Sequence, residues 1–184
     1  YTVSLLLFIV IAALRGDSGY MDESYYLIGA RNLSTGNGFT ENILWNFMGD
    51  PEGLPHASHL YWMPLTSIIS ASGMLIFGNT YLSASIPQAL MAAFISPAVY
   101  LCVIRLMKDQ FWALVGGIFA VLGGYYLIYY SAVDAFSIYM LLGYGYFLAL
   151  AKVFTQTSNR IVFWGGFSGL LAGLMHLSRA DGLI

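Results

Sequence analysis

The sequence predicts an all-helical protein that crosses a membrane several times, and three observations carry that prediction. Of 184 residues, 59% are apolar and only 9% are charged, against about 25% charged in soluble domains. With a mean hydropathy of +0.72 there is too little charge to coat a water-soluble globule. The apolar residues fall in long runs, and at about 20 per crossing they supply about five spans. Polar chemistry is instead concentrated in one stretch, Arg15 to His59. Nine acids against seven bases suggest no nucleic-acid surface, so none is expected as a partner. The lone cysteine, Cys102, excludes an internal disulfide and a thiolate-rich metal site.

The first span is expected at 1–14. It opens at Tyr1 in mid-run, and another run begins as the chain stops at Ile184, so a fragment of a larger protein is expected. A signal peptide fits less well, because neither a basic start nor a small-residue cleavage site flanks the run. A long external loop, 15–80, follows. Within it, residues 22–34 read as a helix: Asp22 and Glu23 suit the positive end of a helix dipole, and Gly36 stands where a C-terminal cap belongs. Residues 42–59 read as irregular. Over 61–77, Tyr61, Leu65, Ile68, Ile69, Leu75 and Ile76 recur at helical spacing with Thr66, Ser67 and Ser70 opposite, the pattern of a helix lying in the interface.

Four further spans are expected at 81–107, 111–130, 135–154 and 161–177. Pro87 and Pro97 are tolerable in the first of these if neighbours satisfy the freed carbonyls. Gly116, Gly117, Gly123, Gly124, Gly165, Gly166, Gly169 and Gly173 suit close helix packing. If 61–77 does not cross, Arg105, Lys108, Lys152 and Arg160 share one side with the single acid Asp109, while Arg15, Arg31 and Arg179 share the other with eight acids. The first side is then cytoplasmic, Asn159 included, and Asn46 and Asp134 are external. If the helix does cross, six of the seven bases fall on one side, so charge alone leaves the parity open.

The chemistry-bearing candidates are few. Asp22 and Glu23 open the loop helix, and their bland reading is a solvated first turn. Asp134 is the one acid between Asp109 and Asp181, at the joint of two apolar runs, and an ionisable group there is a functional candidate by default. Arg179 and Asp181 return to the same side, as a local ion pair or as binding groups. His56 and His59 have the i, i+3 spacing of two metal ligands but lack a matched third. Tyr61–Trp62 and the tyrosines at 125, 126, 129 and 130 suit an aromatic belt.

Taken in order, these features resemble a known family. They comprise a span, a loop with Asp22–Glu23 before an aromatic helix ending Ala30-Arg31-Asn32-Leu33, and Pro64–Leu65 opening a helix that ends Phe77–Gly78. Asp134 then follows the third span and a basic residue follows the fifth. The chain thus looks like the N-terminal part of a GT-C membrane glycosyltransferase, in the branch of the protein O-mannosyltransferases and the lipid A aminoarabinose transferase. The resemblance implies transfer of a sugar from a polyprenyl-phosphate donor to a protein, lipid or glycan acceptor at the external face of the cell membrane, with the bilayer as the remaining partner. It implies Asp22 as the catalytic carboxylate, with Glu23 beside it and Asp134 as a second acid. The lysine that many relatives carry just before the Pro-Leu pair is absent from His59-Leu60-Tyr61-Trp62-Met63-Pro64-Leu65, which leaves Arg179 and His59 as candidates for the donor phosphate. No cofactor is implied, and a divalent metal stays open. Sugar transfer needs a proton acceptor, tolerance of oxocarbenium-like charge and cations for the leaving phosphate, and this side offers all three residue types. A secondary transporter, with its acids at mid-membrane in broken helices, and a non-catalytic scaffold are the alternatives.

Overall fold

The structure is a computed structural model that describes residues 1–44, 51–155 and 159–183. It is mostly helical. In chain order the helices are α1 (Thr2–Arg15), α2 (Met21–Ser34), α3 (Leu65–Phe77), α4 (Tyr81–Ala93), α5 (Ile95–Met107), α6 (Gln110–Val121), α7 (Phe136–Thr155) and α8 (Asn159–Ser178), with 3-10 turns at Gly124–Tyr129 and Ala180–Leu183. The stretch 42–59, expected to be irregular, contributes one short strand, β2 (His56–Ala57), which pairs antiparallel with β1 (Thr40–Glu41) just before it.

Three helical stretches among the described residues are long and apolar enough to cross a membrane: Tyr81–Met107, Phe136–Thr155 and Arg160–Ser178. The first joins α4 to α5 through Phe94, whose backbone remains in the right-handed helical region. Two other expected spans fall short. Helix α1 has 14 residues and α6 has 12, about 21 and 18 Å at 1.5 Å per residue. For 111–130 the cause is local: the helix ends at Val121, and Gly124, at φ 58°, adopts a left-handed conformation from which the tyrosine-rich 3-10 turn leaves.

Helix starts follow cap chemistry. The Thr80 side chain accepts from the Ser83 N–H at 3.1 Å at the head of α4, and Asp109 Oδ1 accepts from the N–H groups of Phe111 and Trp112 at 2.8 and 3.2 Å at the head of α6. The interfacial helix expected over 61–77 begins only at Leu65, after Pro64. Proline disfavours a helical conformation in the residue before it, so Tyr61, Trp62 and Met63 stay outside the helix.

The faces of α3 are inverted relative to a water-soluble helix. Thr66, Ser67 and Ser70 are fully buried, whereas Ile68, Leu75, Ile76 and Phe77 are exposed. The buried side is small enough to admit backbone: a Cβ on Gly73 would lie 2.1 Å from the Ser83 carbonyl oxygen and 2.8 Å from Pro87 Cδ of α4. Hydroxyls and an amide link these helices, as Ser67 donates to the Tyr26 carbonyl at 2.9 Å and the Gln88 amide donates to Ser70 at 3.0 Å. Outward-facing side chains elsewhere, among them Val3, Leu14, Phe154 and Val162, are apolar and nearly fully exposed, the pattern of a protein whose solvent is hydrocarbon.

The expected glycine contacts divide. Gly116 and Gly117 do face α5, toward Val103 and Ser96, but Gly165, Gly166, Gly169 and Gly173 meet nothing within 4 Å. In the α7–α8 hairpin the close glycines are Gly143 and Gly145 of α7, against Met175 and Leu171 of α8.

Candidate functional site

Five element ends meet at one end of the bundle. Helix α1 leaves there with Arg15, α2 enters with Asp22 and Glu23, α4 enters with Tyr81, the segment before α7 carries Val133 and Asp134, and α8 leaves into Arg179. The tie that holds them is Glu23. It is fully buried, and its carboxylate is paired with Arg15. It also accepts from the Gly19 N–H at 2.8 Å, the Tyr81 hydroxyl at 2.6 Å and the Val133 N–H at 3.1 Å. Arg15 lies 5.6 Å from the centre of the Tyr81 ring. A buried carboxylate with this many donors has its acceptor capacity taken up, so Glu23 is an anchor that clamps four segments.

Asp22 differs in every respect. One residue along the helix it turns about 100° away, is partly exposed, and among the described residues makes no hydrogen bond or ion pair. Its charge still reaches Asp134 and Tyr26. Asp134 is 5% exposed. Its Oδ2 accepts from the Tyr20 hydroxyl at 2.6 Å and its Oδ1 from the Ala135 N–H at 2.5 Å. Burial pushes its carboxyl above the usual carboxylate range; the Tyr20 and Ala135 bonds pull it back, and the charges of Asp22 and Glu23 add to the rise. The Tyr20 phenol is held far above its ordinary value, first by burial and then by the Asp134 charge, so it remains a fixed donor.

Arg179 completes the group. Its Nε and Nη2 donate to the two Asp181 oxygens at 3.0 and 3.2 Å, a forked pair, and its guanidinium lies 5.9 Å from the centre of the Tyr139 ring. The Asp181 bond and charge raise the guanidinium's affinity for its proton, and the Asp134 charge also reaches it. Beside it opens a cavity of about 390 Å³ lined by Tyr126, Tyr129, Tyr130, Phe136, Tyr139, Met140, Arg179 and Asp181. The Tyr20 ring meets Tyr129 edge-on at 5.6 Å, joining this cavity to Asp134.

His59 lies apart from that group. It packs edge-on against Tyr25 and Phe39, its Nδ1 faces the Trp62 carbonyl at 3.1 Å, and a Cβ on Gly29 would touch its Nε2 at 2.8 Å. Gly29 is nearly two turns along α2 from Asp22, roughly 10 Å. Burial lowers the imidazole's pKa, so the ring is held neutral. The two candidate metal-ligand histidines also diverge, since His56 turns to Glu41 Oε1 at 3.4 Å and the Ile43 carbonyl at 3.0 Å.

Thus Asp22, Asp134 and Arg179 come together, Glu23 lies beneath them as their clamp, and His59 stands elsewhere. Sequence reasoning did not single out Tyr20, or Arg15 as the partner of Glu23. The one local signal was a tyrosine two residues before an acid pair, whereas its partner is 114 residues away. The bases Arg105, Lys108, Lys152 and Arg160 belong to the opposite ends of the long helices. Of the topology markers, Asn159 opens α8 at that far end, and Asn46 lies outside the described residues. No protein-family model, curated protein or solved structure matches the chain.

Proposed function

We propose that the chain belongs to a GT-C-like membrane glycosyltransferase that moves a sugar from a polyprenyl-phosphate donor to an acceptor hydroxyl. The observation that carries the reading is the meeting of an unengaged carboxylate, Asp22, with a hydrogen-bonded carboxylate, Asp134, and a guanidinium, Arg179, at one end of the helices. In this reading Asp22 accepts the acceptor's proton as oxygen attacks the anomeric carbon, Asp134 orients a substrate hydroxyl, and Arg179 stabilises the departing phosphate. Glu23 contributes by position, not by proton transfer. His59, neutral and set apart, falls behind Arg179 as the phosphate ligand.

The charge asymmetry supports an active site on the external face of the cell membrane, because bases dominate the opposite helix ends. The placement of the acids at the helix ends also weighs against a transporter, which would hold them at mid-helix. The test is transfer itself. Membranes containing the chain in its native protein, given a radiolabelled polyprenyl-phosphate sugar, should pass label to a lipid, protein or glycan fraction. Membranes without it should not. Equal label transfer by both would remove the reading.

A further inference from the structure

We propose that the tyrosine-lined cavity beside Arg179 is a carbohydrate-ring subsite that holds the donor's sugar against the Tyr139 and Tyr126 rings; this rests on the glycosyltransferase reading. Four of the five aromatic walls are phenols: Tyr126, Tyr129, Tyr130 and Tyr139, with Phe136 as the fifth. Its surface is mostly apolar ring, because the Tyr130 hydroxyl is engaged by the Ala120 carbonyl and the Tyr129 hydroxyl by Tyr125, so the polar groups free for a ligand stand at its rim. A pyranose presents apolar C–H faces and polar hydroxyl edges, which match aromatic faces with Arg179 and Asp181 at their rim. At about 390 Å³ the space suits one or two sugar rings and is too small for a polyprenyl chain.

The polar groups at its rim point the same way. Asp181 uses one lone pair on each oxygen to hold Arg179, and an ionised carboxylate has about four such sites, which leaves acceptors for sugar hydroxyls. Arg179 already lies over Tyr139, so the cavity carries its own cation and has little call for a cationic ligand. The position is also apt, because Tyr129 meets the Tyr20 ring whose hydroxyl is bonded to Asp134. A sugar seated on these rings lies next to the carboxylate pair, with its anomeric phosphate toward Arg179.

The experiment compares the binding of sugar-free polyprenyl phosphate with that of polyprenyl phosphates carrying glucose, mannose or galactose, using the intact protein in detergent. Wild type should bind at least one glycosylated lipid more tightly than the sugar-free one. Tyr139→Ala should remove about 10-fold of that increment, the weight of one aromatic contact. Tyr126→Ala, at a wall residue 61% exposed and so safe for folding, should reduce it in the same sense with sugar-free binding unchanged, and Tyr139→Phe should keep most of it. No sugar-dependent increment in wild type would overturn the proposal. So would an increment untouched by both alanine variants, or an equal loss of sugar-free binding in Tyr126→Ala, which would make the cavity a lipid site. Asp22→Asn leaves the cavity intact and should keep the increment while transfer falls, so failure of the catalytic reading is seen separately from failure of the subsite.

Discussion

The Tyr20 hydroxyl donates to Asp134 Oδ2 at 2.6 Å, joining the segment before α2 to the segment before α7 across 114 residues of chain. This bond favours the ionised form of Asp134 against a burial that opposes it. Tyr20→Phe removes the donor and keeps the ring. The Asp134 carboxyl should then rise further, and because transfer in our reading needs it ionised, the acidic limb of the pH–rate profile should move to higher pH. An unmoved limb, with folding intact, would separate Asp134 ionisation from the reaction.

Glu23→Gln tests the clamp. The substitution leaves Arg15 without its carboxylate in a mostly buried setting, and breaking such a pair costs about 3–5 kcal/mol. The variant should therefore lose stability before it loses chemistry, seen as a marked drop in the thermal unfolding midpoint in detergent. Asp22→Asn should leave that midpoint nearly unchanged, since Asp22 makes no hydrogen bond or ion pair among the described residues.

Two glycines make opposite predictions. Gly73→Ala drives a methyl into the Ser83 carbonyl and Pro87, so α3 must separate from α4, at about 1–3 kcal/mol or more. Gly169→Ala meets nothing within 4 Å and should be neutral or stabilising by up to about 1 kcal/mol through helix propensity. Unfolding of the two variants side by side checks both.

His59 gives a pH window for stability. Burial lowers its pKa from the ordinary value of 6.5, so below that value the unfolded chain binds a proton that the folded chain refuses. Stability should fall as pH drops through that window, and His59→Gln should flatten the fall. An identical acid profile in both proteins would contradict the buried, neutral ring.

These tests bear on different depths of what the sequence disclosed. Helices α2, α7 and α8 were legible because each is a long, uninterrupted pattern whose bounds follow from caps and composition. The break after Val121 was harder to see, since Gly123–Gly124 is compatible with close packing as well as with a turn, and only the left-handed backbone of Gly124 decides. Helix α3 was legible as amphipathic but not in its orientation. The same pattern serves an interfacial helix and one that buries hydroxyls inside protein while showing leucine and isoleucine outward. At the site, Asp22, Asp134 and Arg179 stood out as isolated charges near apolar runs. Tyr20 and Arg15 did not, because their partners are fixed by the meeting of helix ends, which no local pattern encodes.

The central claim is that Asp22 is the proton acceptor. Asp22→Asn keeps the side chain's size and removes its basicity, so transfer of radiolabelled sugar from a polyprenyl-phosphate donor should fall by about 100-fold or more, the usual scale of base catalysis, with donor binding and thermal stability retained. Transfer near the wild-type rate by Asp22→Asn would contradict the account. So would a comparable loss confined to a stably folded Glu23→Gln, which would move the chemistry one residue along, into the carboxylate assigned here as the clamp.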